Sequence, residues 1–348
     1  MRTGTCVAIL VSALGLTQVF SQPKGSTLPP ISPANARLDV TLTGMDASGT
    51  AIACSEETGI LAAACDNGSI RFWTKDMSYG VRGDQPTPLV LEAHKGTITA
   101  MAWEQNVLVS TGADHKLIIW QMPDCKPVQT LTVPGLVRAI ALSPDAKTLA
   151  TGSDEGPIQL WDTTTGKAGG KLEGHTDWVL CLAFSADGKR LASGGHDAVV
   201  RVWDVGEAKK LLEIPATPPP QPNNPPPPAN RVQAVSFNTD GALLAFGGSD
   251  GQVYLASAAD GKNVRPLAGH ASSITSLCFH ASGTMLVSAS KDRTVRLWNP
   301  ANGQAYKTLE GHDAWVQGVV LTAQGTRLAS VGADRTVRVW DLTEPPKK

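Results

Sequence analysis

Charge is scarce in this chain, and what there is nearly cancels. Charged residues make up 18% of the sequence and the formal net charge is −1. No stretch gathers lysine and arginine into a basic block. That argues against nucleic acid or an anionic membrane surface as the main partner. Cysteine is thin as well, six in all. Cys54, Cys65, Cys125, Cys181 and Cys278 lack the close spacing of a disulfide framework or a metal cluster, and the Cys-x-x-Cys-His signature of a c-type haem is absent. They read as buried structural thiols, with Cys125, in a Pro-containing loop, nearest the surface. Nothing here calls for a cofactor or a metal. Glycine, by contrast, is abundant at 34 residues, which suits many short strands joined by tight turns.

The pattern is clearest in Gly174–Asp204, GHTDWVLCLAFSADGKRLASGGHDAVVRVWD. It opens on Gly-His and closes on Trp-Asp. Between them lie three strand-like runs, Trp178–Phe184, Arg190–Ser193 and Val199–Trp203, separated by Gly- and Asp-rich turns. Three antiparallel strands cannot bury both faces alone, so this is one unit of an array. Trp73, Trp120, Trp161, Trp203, Trp298 and Trp340 each end such a block, at spacings of about 40 to 50 residues. A gap of 95 residues between Trp203 and Trp298 holds one more unit, with Ala256 at the Trp position. Seven units result.

This array resembles the WD-repeat β-propeller family over nearly all of Arg37–Leu342. The resemblance implies an all-β, seven-bladed β-propeller of four-stranded antiparallel blades. It also implies that an N-terminal strand, Arg37–Leu42, closes the ring beside Thr336–Asp341 and removes the open sheet edges. The expected domain spans 37–343, with a short tail at 344–348. A Pro-rich insertion, 215–229, holds nine prolines in fifteen residues and interrupts the array before the fifth unit. Proline cannot donate to a ladder, so an extended excursion is expected there.

His, Ser, Asp and Trp recur at fixed register: His94, Ser110, Asp114 and Trp120; His175, Ser193, Asp197 and Trp203; His270, Ser288, Asp292 and Trp298; His312, Ser330, Asp334 and Trp340. A catalytic triad is needed once, whereas this set occurs four times. The resemblance implies a hydrogen-bonded network inside each blade. The first unit has Met45, Ala63 and Asn67 at those positions and keeps Trp73. The third has Val133, Thr151, Glu155 and Trp161. In both, an Asp one place earlier (Asp66, Asp154) is a partial substitute. The fifth has Pro228, Phe246 and Ala256, which leaves Asp250 facing solvent or a backbone amide.

In the family, partners meet the face carrying the Gly-His turns. Mapped by register, Trp178 and Trp315 fall there, outside the blade-closing Trp series, with Arg138, Arg231, Gln233 and Gln317 around them. His115, His196, Lys291, Arg293 and Arg335 flank the turn Asp. Large aromatics on a rim make interface anchors, or else pack over a neighbour's turn. The expected function is therefore a non-enzymatic scaffold for a protein or peptide partner, built as a monomeric ring. The alternatives are a propeller enzyme, lactonase-like or quinone-dependent, and a lectin-like module using the two tryptophans.

Met1–Ser21 differs in character from the rest of the chain. Arg2 is a minimal charged start, Cys6–Leu16 is an apolar run, and Val19-Phe20-Ser21 offers a cleavage site. An export signal cut near Ser21 is expected, giving a secreted or periplasmic protein with no membrane insertion after cleavage. Gln22–Ala36, with four prolines, reads as a linker.

Overall fold

The computed structural model describes residues 31–55, 59–73, 88–216, 229–322 and 325–343. Seven four-stranded antiparallel sheets form the ring. Six of them are runs of four consecutive strands, spanning 49–92, 98–132, 137–172, 179–215, 232–267 and 274–309. The seventh combines three strands of 316–341 with Arg37–Leu42, which pairs antiparallel with Val337–Asp341. The ring therefore closes with both ends of the described chain in one blade. Asp39 adds an ion pair to Arg327 at 3.1 Å, and Arg37 pairs with Asp341.

Within a blade, burial falls from the axis outward. The inner strand Val179–Phe184 is buried at five of six positions, while the outer strand Lys126–Thr132 is exposed at most of its length. Inner strands are covered on both faces by neighbouring blades, which is why they read as near-continuous apolar runs rather than alternating ones. Where blades approach closely the middle strand carries Ala or Gly. At Gly194 a Cβ would lie 2.4 Å from a methyl of Val232 in the next blade.

Each inner strand also carries a bulge at its second residue. The register slips at Thr50, Thr99, Arg138, Leu180, Gln233, Thr275 and Gln317, one per blade. A bulge leaves its residue outside the ladder and re-aims the side chain. It also frees a backbone carbonyl, and three of the threonines take up the ones in the following blade. Thr50 Oγ1 donates to Ile98 O at 2.9 Å, Thr99 to Val137 O at 2.7 Å and Thr275 to Val316 O at 2.7 Å.

One stretch departs from expectation. Residues 31–36, read as the end of a linker, are docked on the ring. A short 3-10 turn, Pro33–Asn35, leads into the closing strand, Ala36 is buried, and Ser32 N donates to Leu342 O at 2.7 Å. Apolar contact explains it, because Ile31 and Ala36 join the core of blades six and seven. The rest of that linker, the expected export signal, the tail and residues 217–228 of the Pro-rich insertion lie outside the described residues. The ends of that insertion are held together. Ala216 N donates to Ala198 O at 2.9 Å, and Asn230 Nδ2 reaches Ala216 O at 3.4 Å.

Candidate functional site

Two polar systems were legible in the sequence, and the fold separates them. The His-Ser-Asp-Trp sets lie inside the blades. In blade four the Trp203 indole donates to Ser193 Oγ at 2.8 Å, and His175 Nε2 lies 2.7 Å from the same hydroxyl. His175 Nδ1 faces Asp197 at 3.0 Å. The same chain runs through Trp120, Ser110, His94 and Asp114 at 2.9, 2.8 and 2.9 Å. It recurs through Trp298, Ser288, His270 and Asp292 at 2.8, 2.7 and 2.7 Å. In blade seven it links Trp340, Ser330, His312 and Asp334 at 3.1, 2.8 and 2.8 Å. The imidazole side chains are 0–1% exposed and all four serines are fully buried. Each hydroxyl is enclosed and bonds an indole and an imidazole of its own blade.

Burial alone would raise the carboxyl of Asp334. Its hydrogen bond to His312, the imidazole charge, Thr336 and the Asp313 amide override that and hold it at about 2. Asp197 and Asp292 are held lower still, burial again being overcome, by His175 and Arg201 in one case and by His270, Thr294 and the Ala271 amide in the other. Arg201, Thr294 and Thr336 were not singled out from the sequence. Arg201 Nη1 lies 2.7 Å from both Asp197 Oδ2 and His175 Nδ1. The signal was present as an Arg four residues, or a Thr two residues, after the turn Asp.

The weaker blades rebuild the same turn differently. Asp66 and Asp154 accept the amides of Ser48 and Leu136 at 3.1 and 2.9 Å, so they clamp the turn without reaching an imidazole. The Trp73 indole is buried without a partner, whereas Trp161 donates to Thr151 at 2.9 Å. Asp250 is exposed and caps the Gln252 amide at 3.0 Å, both as expected, and its other oxygen has a partner that the sequence did not announce. It accepts the Tyr254 hydroxyl at 2.7 Å, and Tyr254 stacks on Phe246 at 5.2 Å. Burial and the Asp250 carboxylate push the Tyr254 hydroxyl upward in pKa. Pro228, at the His position, is outside the described residues. Asn230, two places later, supplies a side-chain acceptor to the Asp250 amide at 3.2 Å.

The second system is the mouth of the central channel on the Gly-His face. The bulged residues Thr99, Arg138, Leu180, Gln233, Thr275 and Gln317 line a concavity of about 330 Å3. Trp178, His196, Arg231 and Lys291 complete its rim. Trp178 is 38% exposed and Trp315 51%. Both lean across to the preceding blade: the Arg138 guanidinium sits 4.1 Å from the Trp178 ring centroid, and the Lys291 ammonium 4.8 Å from that of Trp315. His196 approaches the Trp178 ring at 5.2 Å and is itself fixed by Asp177 at 3.0 Å. The structure thus gathers Trp178, Arg138, Arg231 and Gln317 at one mouth, with Trp315 joined through Lys291. Arg293 and Arg335 stay apart, exposed on hairpin turns at φ 74° and 64°.

Among the described residues no group of three or more His, Cys, Asp or Glu could hold a metal ion. No described helix is long and apolar enough to cross a membrane. Of the five described cysteines, four are buried and Cys125 is half-buried. Burial pushes Cys65 up to about 11 and Cys278 up to about 12, which leaves them protonated and unreactive.

Seven four-stranded blades, a Trp-to-Asp relay in four of them and a ring closed by the N-terminal strand define a WD-repeat β-propeller. The chain belongs to the family described as nucleolar protein 10-like, N-terminal domain, whose model matches residues 125–340. The model of a single WD domain, G-beta repeat, matches residues 87–121. Among curated relatives, it is 29% identical over 142 residues to the CCR4-associated factor 4 homolog of Candida glabrata, covering 34% of this chain and 24% of that protein. It is 34% identical over 132 residues to mitochondrial division protein 1 of Chaetomium globosum, covering 31% and 20%. It is 31% identical over 103 residues to the small ribosomal subunit protein RACK1y of Oryza sativa subsp. japonica, covering 28% and 30%. The matched stretch is thus less than a third of each of these relatives.

Proposed function

We propose that this chain is a non-enzymatic scaffold that holds a protein or peptide partner on the Gly-His face, with Trp178 and Trp315 as anchors and Arg138, Arg231 and Gln317 around them. One observation carries the reading. The blade-closing Trp73, Trp120, Trp203, Trp298 and Trp340 are buried, while these two keep large aromatic faces in water at equivalent positions of blades four and seven. Exposed Trp beside a concavity, with cations fixed on the rings, is the composition of an interface centre rather than of idle surface. The family membership supports the fold on which this face is built. The relatives' own activities stay with those proteins.

The export reading rests on Met1–Ser21 alone, and the monomeric ring on the closure of every blade. Mass spectrometry of protein from its native host should find a mature start near Gln22, and retention of Met1 or Arg2 would end the export proposal. The scaffold itself is tested with a partner captured from the same compartment and then purified. Changing both Trp178 and Trp315 to Ala should weaken binding by at least about thirtyfold, the loss of ~2 kcal/mol expected for one buried anchor. Unchanged affinity would remove the Gly-His face as the partner surface.

A further inference from the structure

The charges of the channel mouth do not follow those of the protein. The whole chain is balanced, with 30 basic and 31 acidic residues. The residues lining the mouth include Arg138, Arg231 and Lys291 and no carboxylate. Four acidic groups on the same face are engaged elsewhere. Asp197, Asp292 and Asp334 are turned inward to their histidines, and Asp177 is held by His196. Among the described residues, the three cations form no ion pair. The Arg138 guanidinium carbon sits over the Trp178 ring at 4.1 Å, with its Nε buried and lacking an acceptor.

We infer that the mouth recognises an acidic peptide segment, with successive Asp or Glu carboxylates received by Arg138, Arg231 and Lys291. The inference rests on the scaffold reading and names the chemistry of its partner. The three cations come from blades three, five and six, so they are spread along one side of the opening rather than gathered at one point. A run of carboxylates matches that spread better than one compact anion. Gln233 and Gln317 line the same concavity, and their amides can each donate to a carboxylate oxygen that the cations leave over. The low-dielectric walls of a concavity concentrate this positive field and favour acidic chains over neutral ones before contact is made. The exposed Trp178 and Trp315 rings receive the apolar residues that flank such a segment.

The test uses the full chain and fluorescein-labelled hexaglutamate, hexaglutamine and hexalysine peptides, followed by anisotropy at low and moderate salt. Hexaglutamate should bind at least about tenfold more tightly than hexaglutamine, and hexalysine should not bind. Changing Arg231→Gln together with Lys291→Gln should weaken hexaglutamate about tenfold or more. Changing Arg293→Gln together with Arg335→Gln removes the same charge outside the mouth and should leave affinity within about twofold. Melting curves of both double variants exclude misfolding. Equal binding of the three peptides overturns the inference, as does equal loss in the two double variants. Displacement of hexaglutamate by equimolar inorganic phosphate overturns the choice of carboxylate. A purified partner that needs Trp178 and Trp315 while hexaglutamate fails to bind also overturns it, and leaves the scaffold reading intact.

Discussion

The Arg138 guanidinium lies 4.1 Å from the ring centroid of Trp178, across the boundary between blades three and four. One residue reached its place through a strand bulge, the other through the turn that precedes a strand. Together they join a cation of the channel to an aromatic of the rim.

This contact is on the surface, and its removal should cost little stability. Trp178→Ala and Trp315→Ala are each expected to lower unfolding free energy by about 1 kcal/mol or less, the value of an exposed cation–π pair. Trp203→Ala empties a fully buried site and should cost about 3–5 kcal/mol. Urea denaturation of the three variants measures the contrast. A rim variant as damaging as Trp203→Ala would make these tryptophans packing elements.

Asp197→Ala leaves His175 without its carboxylate and the buried Arg201 with Glu213 alone. A loss of about 3 kcal/mol or more is expected, as for breaking a buried ion pair. Asp250→Ala strands only the Tyr254 hydroxyl and one turn amide, and should cost about 1–2 kcal/mol. The ranking is read from chemical denaturation at neutral pH, and a reversed order would refute the account of blade five.

Acid should loosen the ring in a defined direction. Asp334 is held at about 2 against 3.8 for an unconstrained Asp, and Asp197 and Asp292 lie lower still. Folded-state values below the unfolded one stabilise the protein fully above pH ~5, and the contribution is lost as pH falls through the folded values. Denaturation midpoints should therefore be flat from neutral to about pH 5 and then decline. Asp334→Asn should be less stable at neutral pH and show a shallower acid slope; an unchanged slope would exclude this pair as a source.

A chain beginning at Thr43 lacks the closing strand, its ladder to Val337–Asp341 and the ion pairs of Arg37 and Asp39. It should melt lower and self-associate through the uncovered edge. Calorimetry and light scattering against a chain beginning at Gln22 decide the matter. A chain beginning at Arg37 isolates the docked residues 31–36 and should lose only part of that difference.

The repeat was readable because its demands are rigid. A Trp ending the third strand marks six units. In four of them the turn Asp and the His before the inner strand fix the same register without any knowledge of packing. What escaped was set by burial. Arg201 alternates with apolar residues and so reads as a solvated strand residue, yet its side chain is only 6% exposed because it bridges Asp197 and Glu213. Asn230 was hidden because Pro228 occupies the register position of the histidine. The docking of Ile31 and Ala36 depends on apolar contact with blades six and seven, which no local pattern announces. At the mouth, Arg138, Gln233 and Gln317 were found by register. Thr50, Thr99, Leu180 and Thr275 escaped because their side chains look ordinary and only the bulge distinguishes their place.

That bulge has a further consequence. Because the second residue of each inner strand stands outside the ladder, its identity is released from the pairing rules that govern its neighbours. Thr, Arg, Leu and Gln all occur there, while the flanking positions stay apolar or small. The ring thus sets seven variable positions around one opening: three threonines tie their blade to the next, and on the proposed partner face the other four can be rewritten while those ties stay in place.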